Sequence, residues 1–283
     1  MTQLAYAAAA DYYGRAAELV PAGSELVKSG YMNQQGSALY HAGKYSDAEA
    51  PLKGTLDIRE RLLKPNDPKI AVTLNNLAGL CQAQGKYDQA EPLYLRALKI
   101  TEQTLGPEHP NTAATLNNLA ELYHDQGEYE HAEQLFQRAL KIKEQALGPK
   151  HPNTAATLNN LASLYRVQGK YEQAEPLYLR ALKIREIAQG PDNPHTATTL
   201  NNLALLYHAQ GRYDQAEPLL QRVLEIRKET LEPDHPHMAT TLNNLAGLTT
   251  PRGGTTTPSR DIYRLCTSMS RPRGRTIPTR PWL

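Results

Sequence analysis

Apolar side chains recur along this chain at the spacing of one face of an α-helix. One group stands at i, i+3, i+4 and i+7, namely Leu116, Leu119, Ala120 and Tyr123. Side chains at these spacings share a single stripe, which predicts an amphipathic helix, here called helix A. A second stripe predicts helix B over about Tyr129–Ala146, ended by the Gly-Pro pair that follows it. The pattern therefore predicts a helical hairpin.

The same pattern returns every 42 residues. The segment Leu-Asn-Asn-Leu-Ala begins at Leu74, Leu116, Leu158, Leu200 and Leu242. A fixed period of this length indicates a repeat architecture, in which each unit buries its apolar face against its neighbours. We therefore predict an all-α solenoid of antiparallel helix hairpins.

The period also predicts how the chain is divided. Regular repeats occupy residues 74–115, 116–157, 158–199 and 200–241, and a truncated repeat occupies residues 242–248. Residues 32–73 form a degenerate first repeat, because Gln35 and Gly36 replace the Leu77 and Ala78 of the next unit. Residues 1–31 are predicted to be an N-terminal helical segment, with a further decayed repeat as one interpretation.

Local residues predict where the helices begin. The His-Pro-Asn-Thr turn predicts that a helix A starts at Pro152, where a missing N–H is not needed. Asp88 followed by Glu91 predicts an acidic N-cap for helix B. With that start Pro92 would lie in the first turn, where a proline breaks no helical hydrogen bond.

Composition and charge narrow the class of protein. The chain is 40% hydrophobic and 21% charged, as in soluble globular proteins. Its net charge of +2 conceals a division, since residues 250–283 sum to +6 and residues 1–249 to −4. An acidic body argues against nucleic-acid binding, which needs a basic surface.

Cys81 and Cys266 suggest neither a disulfide framework nor a metal site. With no signal segment or long apolar run, we predict a cytoplasmic protein without a membrane partner.

The repeated segment carries a family resemblance. Leu-Asn-Asn-Leu-Ala-x-Leu-Tyr-x-x-Gln-Gly-x-Tyr-x-x-Ala-Glu-Pro-Leu is followed by Arg-Ala-Leu-x-Ile and Gly-Pro-x-His-Pro. From Met32 to Leu248 the chain resembles tetratricopeptide repeats of the kinesin-light-chain type, whose lengthened helix B gives the same 42-residue period. The resemblance implies a right-handed superhelix whose concave groove, lined mainly by A helices, binds extended peptides or partner proteins. It implies no reaction.

Four positions of helix A project to one side of its apolar stripe, at 100° per residue. The resemblance implies that this side faces the groove, and we call it the A-helix flank. It comprises Asn117, Glu121, His124 and Asp125 and their equivalents, which include Asn75, Gly79, Gln82, Ala83, Asn159, Ser163, Arg166, Val167, Asn201, Leu205, His208 and Ala209. Asn33 and Asn243 extend the asparagine row at its two ends.

The asparagine row has two interpretations. Each amide offers a donor and an acceptor, so the row can pair with the backbone of an extended peptide while its variable neighbours select side chains. Alternatively, the asparagines bind the neighbouring repeat. We favour peptide binding for the first asparagine of each pair and the structural role for the second, which is Asn76, Asn118, Asn160 or Asn202.

No constellation for chemistry stands out. His109, His151 and His235 precede proline in the inter-repeat turn, where one repeat has Asn193, so turn capping is favoured over metal binding. The acids of helix B, such as Glu91, Glu133 and Glu144, are expected to be solvated or capping residues rather than a catalytic pair. No phosphate-binding loop of the Walker type occurs. We predict no catalytic residue, no metal and no cofactor, and hence no enzyme.

The repeat pattern stops after Leu248. Thr249-Thr250-Pro251-Arg252-Gly253 stands where Tyr-x-x-Gln-Gly is expected. Back-translated with synonymous codons and read one base earlier, the rest of the chain encodes a further repeat. We hypothesise a one-base insertion or deletion near codon 248, natural or from a sequencing error. Residues 249–283 would then be a basic, disordered tail and not a nucleic-acid site.

The sequence as a whole predicts a scaffold that binds a protein or peptide in its groove. We expect a monomer, or weak self-association through the uncapped C-terminal end. Two alternatives stay open. One is a self-assembling structural array, and the other is a detached sensor repeat region of a larger signalling system, as in bacterial relatives of the repeat.

Overall fold

The computed structural model describes residues 3–231 and 236–248, and this part of the chain contains twelve α-helices and no strand. They are α1 (Gln3–Glu18), α2 (Glu25–His41), α3 (Tyr45–Leu62), α4 (Pro68–Ala83), α5 (Tyr87–Thr104), α6 (Pro110–Gln126), α7 (Tyr129–Ala146), α8 (Pro152–Val167), α9 (Tyr171–Gln189), α10 (Pro194–Ala209), α11 (Tyr213–Thr230) and α12 (Pro236–Leu248). The predicted all-α fold is confirmed, and α7 has the predicted bounds of helix B.

The chain divides into two compact units, residues 1–184 and residues 185–283. In the first unit each helix from α1 to α8 packs on the next, and the even-numbered helices contact one another in the pairs α2 with α4, α4 with α6 and α6 with α8. In the second unit α10 packs on α11, α11 packs on α12, and α10 contacts α12. Even-numbered helices from α2 onward are A helices, and odd-numbered helices from α3 onward are B helices.

The apolar core repeats with the sequence period. Ala113 and Leu116 of α6 pack with Ala139 and Ile142 of α7. The residues one period earlier and one period later form the same kind of cluster. The small alanines let the two helices approach closely, while each buried Leu or Ile contributes about 1.5–3 kcal/mol. The two helices of each hairpin therefore bury their apolar stripes against each other, and a further cluster joins Ala78 and Tyr94 to Leu119 of the next repeat.

The four A helices from α4 to α10 begin with the same cap. A side-chain acceptor two residues ahead receives a backbone N–H: Asp67 from Lys69 at 2.8 Å, His109 from Asn111 at 3.1 Å, His151 from Asn153 at 3.0 Å and Asn193 from His195 at 2.9 Å. A proline fills the first helical position each time. The capping role predicted for His109 and His151 is confirmed, as is the start at Pro152. His235 lies outside the described residues.

Helix B begins earlier than its acidic residues predict. α5 starts one residue before Asp88, and its N-cap residue, Lys86, makes no side-chain capping bond. The predicted cap at Asp88 is therefore wrong. Gly85 has a φ of +72°, so the Lys86 N–H can turn back to the Cys81 carbonyl at 2.8 Å. Because this turn is so short, the helix already begins at Tyr87, and Pro92 lies inside it beyond the first turn. There the proline removes one backbone hydrogen bond. Its predicted place in the first turn is wrong as well.

The degenerate first repeat, α2 and α3, has a glycine for a packing reason. A Cβ on Gly36 would lie 2.4 Å from the Leu52 Cγ, and Leu52 is fully buried. α1 packs against this hairpin through Ala10.

The repeat boundaries predicted at residues 32, 74, 116, 158, 200 and 242 fall within A helices, because they mark a sequence match rather than a helix start. The predicted tail, residues 249–283, lies outside the described residues.

Candidate functional site

The A-helix flank contains buried and accessible positions side by side. Asn33, Asn117, Asn159 and Asn201 are at most 8% exposed, Asn75 is half-buried and Asn243 is exposed. The variable positions are more open, with Gln82, Glu121, His124, Ser163, Arg166, Leu205 and His208 half-buried and Asp125 exposed. The variable residues, and not the asparagines, form most of the accessible flank.

The buried asparagines bind one another between repeats. The second asparagine of one repeat donates from Nδ2 to Oδ1 of the first asparagine in the repeat before it. This bond joins Asn76 to Asn33 at 3.3 Å, Asn160 to Asn117 at 3.4 Å and Asn244 to Asn201 at 3.0 Å. The geometry supports the structural interpretation for both asparagines. Direct contact of the first asparagine with a peptide stays a prediction.

Asn117 also belongs to a buried polar network. Lys143 Nζ donates to Thr157 Oγ1 at 2.7 Å, and that hydroxyl donates to Asn117 Oδ1 at 3.2 Å. Asn117 Nδ2 donates to Glu121 Oε1 at 2.8 Å, and Asn160 donates to the same oxygen. Burial lowers the pKa of Lys143 to about 8, against the opposing effect of the Glu121 charge. The network thus connects a buried ammonium to a carboxylate of the flank.

The sequence analysis missed this buried cation, although it recurs with the repeat. The same helix B position donates to the threonine fourteen residues later in three further places, Arg59 to Thr73, Arg185 to Thr199 and Arg227 to Thr241. In the repeat 74–115 the position is Thr101, and Asn75 Nδ2 donates instead to Thr115 Oγ1 at 2.9 Å. The sequence signal for this cation is the basic residue that directly follows the repeated isoleucine of helix B, as in Ile142-Lys143.

A cavity of about 390 Å³ lies in the first unit between α2, α4 and α6. Tyr40 and Tyr94 line it from outside the flank, and the flank contributes Asn75, Gly79, Gln82, Ala83, Glu121 and Asp125. Pockets of about 300–1,000 Å³ are typical of sites for small ligands. The structure therefore brings six of the predicted flank residues together, from two adjacent A helices.

A chain of hydrogen bonds crosses this cavity. The Tyr94 hydroxyl donates to Gln82 Oε1 at 3.1 Å, and Gln82 Nε2 donates to Asp125 Oδ2 at 2.7 Å. His124 Nδ1 lies 3.4 Å from Asp125 Oδ1, and this hydrogen bond is the main reason that the pKa of Asp125 is lowered. Asp125 is therefore held in its charged form.

Two acidic side chains, Glu121 and Asp125, line the cavity. Burial raises the pKa of Glu121, and the Asp125 charge raises it further, while the Asn117 hydrogen bond opposes the shift. Burial also raises the pKa of Tyr40, followed by the effects of Tyr45 and of the two carboxylates. No lysine or arginine is among the lining residues. The two acids thus face a wall that has no lysine or arginine.

The other predicted flank residues are not among those that line this cavity. Ser163 and Arg166 belong to α8, and Leu205 and His208 belong to α10 of the second unit. The sequence analysis did not single out Tyr94. The signal was a tyrosine at a position that is Phe136 or Leu220 in other repeats, because a tyrosine places a polar hydroxyl where phenylalanine or leucine places none.

Two further searches cover the described ranges, residues 3–231 and 236–248. No group of three or more His, Cys, Asp or Glu side chains there is placed to hold a metal ion. None of the helices in those ranges has the length and apolar character needed to cross a membrane.

Similar proteins share this architecture. The solved structure of BtubC (BKLC) from P. vanneervenii is 24% identical, with a TM-score of 0.60, and the match covers 90% of this chain and 95% of that one. A putative kinesin light chain with nearly identical repeats from Podospora anserina is 25% identical, with a TM-score of 0.58 and coverage of 70% and 94%. A STAND signal transduction ATPase with a tetratricopeptide repeat sensor from Pyrococcus horikoshii is 18% identical, with a TM-score of 0.62 and coverage of 88% and 37%. A search of curated proteins found no match.

The family itself is given by the repeats. The tetratricopeptide repeat model matches residues 29–102, 69–145, 132–187, 153–229 and 195–250. These segments overlap and cover most of the chain, and they include both the buried asparagine pairs and the cavity. The structural neighbours include kinesin-light-chain-like members with the same succession of hairpins. The chain belongs to the tetratricopeptide repeat family.

Proposed function

We propose that this chain is a scaffold that binds a protein or an extended peptide on the A-helix flank and catalyses no reaction. Tetratricopeptide repeats serve in general as protein-interaction modules, which supports the first part of the proposal. The partner would lie across successive A helices, because α2, α4, α6 and α8 contact one another in the first unit.

The observation that carries the proposal is where the repeats differ. Core and inter-repeat positions are nearly the same from one repeat to the next, whereas one accessible flank position is Gly79, Glu121, Ser163 or Leu205 in turn. A second such position is Ala83, Asp125, Val167 or Ala209. Within the A helices the differences fall mainly on this accessible flank, where they change what the surface can bind without changing the fold, as expected of a recognition surface.

The opposite surface is less suited to recognition, because it repeats. Successive B helices are joined by ion pairs between an arginine and a glutamate 36 residues earlier: Arg96 with Glu60, Arg138 with Glu102, Arg180 with Glu144 and Arg222 with Glu186, at 2.5–2.8 Å. These groups are partly exposed but already paired. A surface with the same pair in every repeat offers little variety to a partner.

A peptide selection tests the proposal. A random dodecapeptide library displayed on phage is panned against the full chain, and the affinity of selected peptides is measured by fluorescence polarisation. Asp125→Lys, on the flank, should weaken binding about tenfold or more, since about 1.4 kcal/mol corresponds to a factor of ten. Glu130→Lys, which makes the same charge change at an exposed position of α7, should leave the affinity within about twofold.

Two results would count against the proposal. Greater sensitivity to the α7 variant than to the flank variant would place the binding surface elsewhere. Failure to select any peptide, together with a mass that grows with concentration in light scattering, would favour the self-assembling array.

A further inference from the structure

We propose that the cavity between α2, α4 and α6 binds the cationic side chain of a guest peptide, with arginine preferred to lysine. The inference rests on the proposed function and adds the chemistry that one position of the guest must have. It is confined to the first unit, where all the residues that line the cavity lie.

The acidic character of the site is specific to one repeat. Glu121 and Asp125 both line the cavity, whereas their equivalents are Gly79 and Ala83, Ser163 and Val167, and Leu205 and Ala209. The acids are therefore not part of the repeat's general packing. Asp125, held in its charged form, gives one position along the flank a local negative charge that complements a cation, and a bound cation would favour the charged form of Glu121.

Several acceptors remain for a donor-rich guest. The two amides that bind the Glu121 carboxylate both donate to Oε1, and no donor to its Oε2 occurs in the described part of the chain. Asn75, which also lines the cavity, has a buried Oδ1 without a hydrogen-bond partner there. A guanidinium has five N–H donors in a fixed fork and no acceptor, so it can satisfy such a set better than an ammonium can.

Two phenols add to the attraction. Tyr40 lines the cavity from α2, and Tyr94 lies beneath it with 3% of its surface exposed. An aromatic ring attracts a cation near its face, and arginine also stacks on such a ring. His41, whose pKa is lowered by burial, is neutral near pH 7 and does not oppose a cation.

The nearest buried cation does not occupy this site. Lys143 is 6% exposed, and its ammonium donates to the Thr157 hydroxyl. It contacts Glu121 only through Asn117 and Thr157. The outer part of the Glu121 carboxylate is thus left facing the cavity.

The space for the guest exists because α4 has a glycine at the position of Glu121. A Cβ on Gly79 would lie 3.5 Å from the Tyr94 hydroxyl, an ordinary contact. A longer side chain would extend into the cavity. The chain itself carries leucine at this position in α10, Leu205, so leucine is compatible with an A helix. Gly79→Leu is therefore a substitution that should fill the cavity and preserve the fold.

The experiment is an NMR titration of the full chain with the blocked peptide Ac-Gly-Ala-Arg-Ala-Gly-NH2. The matched peptides carry lysine, citrulline or glutamate at the centre, and citrulline keeps the shape of arginine without its charge. We expect arginine to bind about tenfold more tightly than citrulline, with lysine between them, since charge-assisted bonds exceed neutral ones by this order. Shifted resonances should belong to α2, α4 and α6.

Variants localise the effect. Gly79→Leu, and separately Glu121→Gln combined with Asp125→Asn, should abolish the preference for arginine over citrulline. Ser163→Leu, which introduces the same residue at the equivalent position of α8, should retain the preference. Circular dichroism of each variant establishes that its helices are intact.

The outcomes separate the two proposals. Equal binding of the arginine and citrulline peptides, no binding of either, or an arginine preference that survives Gly79→Leu overturns the cation site. The general proposal would stand if library-selected peptides still bound the flank through other residues. Conversely, an arginine preference in the cavity, together with library-selected peptides that bind the B-helix surface and not the A-helix flank, overturns only the general proposal.

Discussion

The Lys143 ammonium, buried at the end of α7, donates a 2.7 Å hydrogen bond to the Thr157 hydroxyl of α8. This bond crosses from one repeat to the next. Burial without a directly bound carboxylate disfavours the charged form, which explains the lowering of the Lys143 pKa from 10.5 to about 8. The contact therefore makes the stability of this part of the chain dependent on pH.

The first prediction concerns that pH dependence. Between pH 8 and pH 10.5 the folded chain has lost the Lys143 proton, whereas the unfolded chain still binds it. Stability consequently rises with pH across this window. The free energy of unfolding of the wild type, minus that of Lys143→Met, should increase by about 1–2 kcal/mol from pH 8 to pH 10. Urea denaturation followed by circular dichroism measures it.

A matched control for this prediction lies on the same helix. Lys141 is exposed, so the wild type minus Lys141→Met should show no such rise. Parallel pH profiles for the two variants would contradict the assignment of the effect to the buried ammonium.

The second prediction concerns the asparagine row. Asn117→Ala removes the acceptor for Thr157 and Asn160 and leaves their buried groups without this partner. We expect the free energy of unfolding to fall by about 1–3 kcal/mol, the usual cost of an unsatisfied buried polar group. Asn243 occupies the equivalent position of α12 but is exposed, so Asn243→Ala should change stability by less than about 0.5 kcal/mol. Equal losses in the urea midpoints of both variants would argue against a buried structural role.

The third prediction concerns the start of helix A. His109 Nδ1 accepts the Asn111 N–H at 3.1 Å, and the same bond is made by the Asn193 side chain in another repeat. His109→Ala should therefore cost about 0.5–2 kcal/mol, as other lost N-caps do. His109→Asn should retain most of the stability because it restores the acceptor. If His109→Asn had a melting temperature as low as that of His109→Ala, the capping role would be contradicted.

The hairpins could be predicted from sequence because their signals are local and repeated. The apolar stripe predicted α7, and Pro152 predicted the start of α8. The start of helix B was predicted less well, since Asp88 resembles a cap. The tight turn at Gly85 instead begins the helix before that residue is reached.

The candidate site was only partly predictable, for two physical reasons. A helical wheel places Asn117 beside Glu121, but it cannot show that the next repeat covers the asparagine and leaves the glutamate accessible. The cavity also depends on residues from five helices and on the missing side chain of Gly79. Tyr40 and Tyr94 reach it from α2 and α5, and no pattern within a single helix indicates that meeting.

Photo-crosslinking tests the central claim, that a guest binds the A-helix flank, most directly. The photoreactive residue p-benzoylphenylalanine replaces either Val167, on the flank of α8, or Leu179, on α9 in the first unit. These two side chains are 42% and 45% exposed, so the probes are equally accessible. A third probe replaces Ala83, beside the cavity. With a biotinylated library-selected peptide, we predict crosslinks from Val167 or Ala83 and none from Leu179. Crosslinking from Leu179 alone would contradict the account.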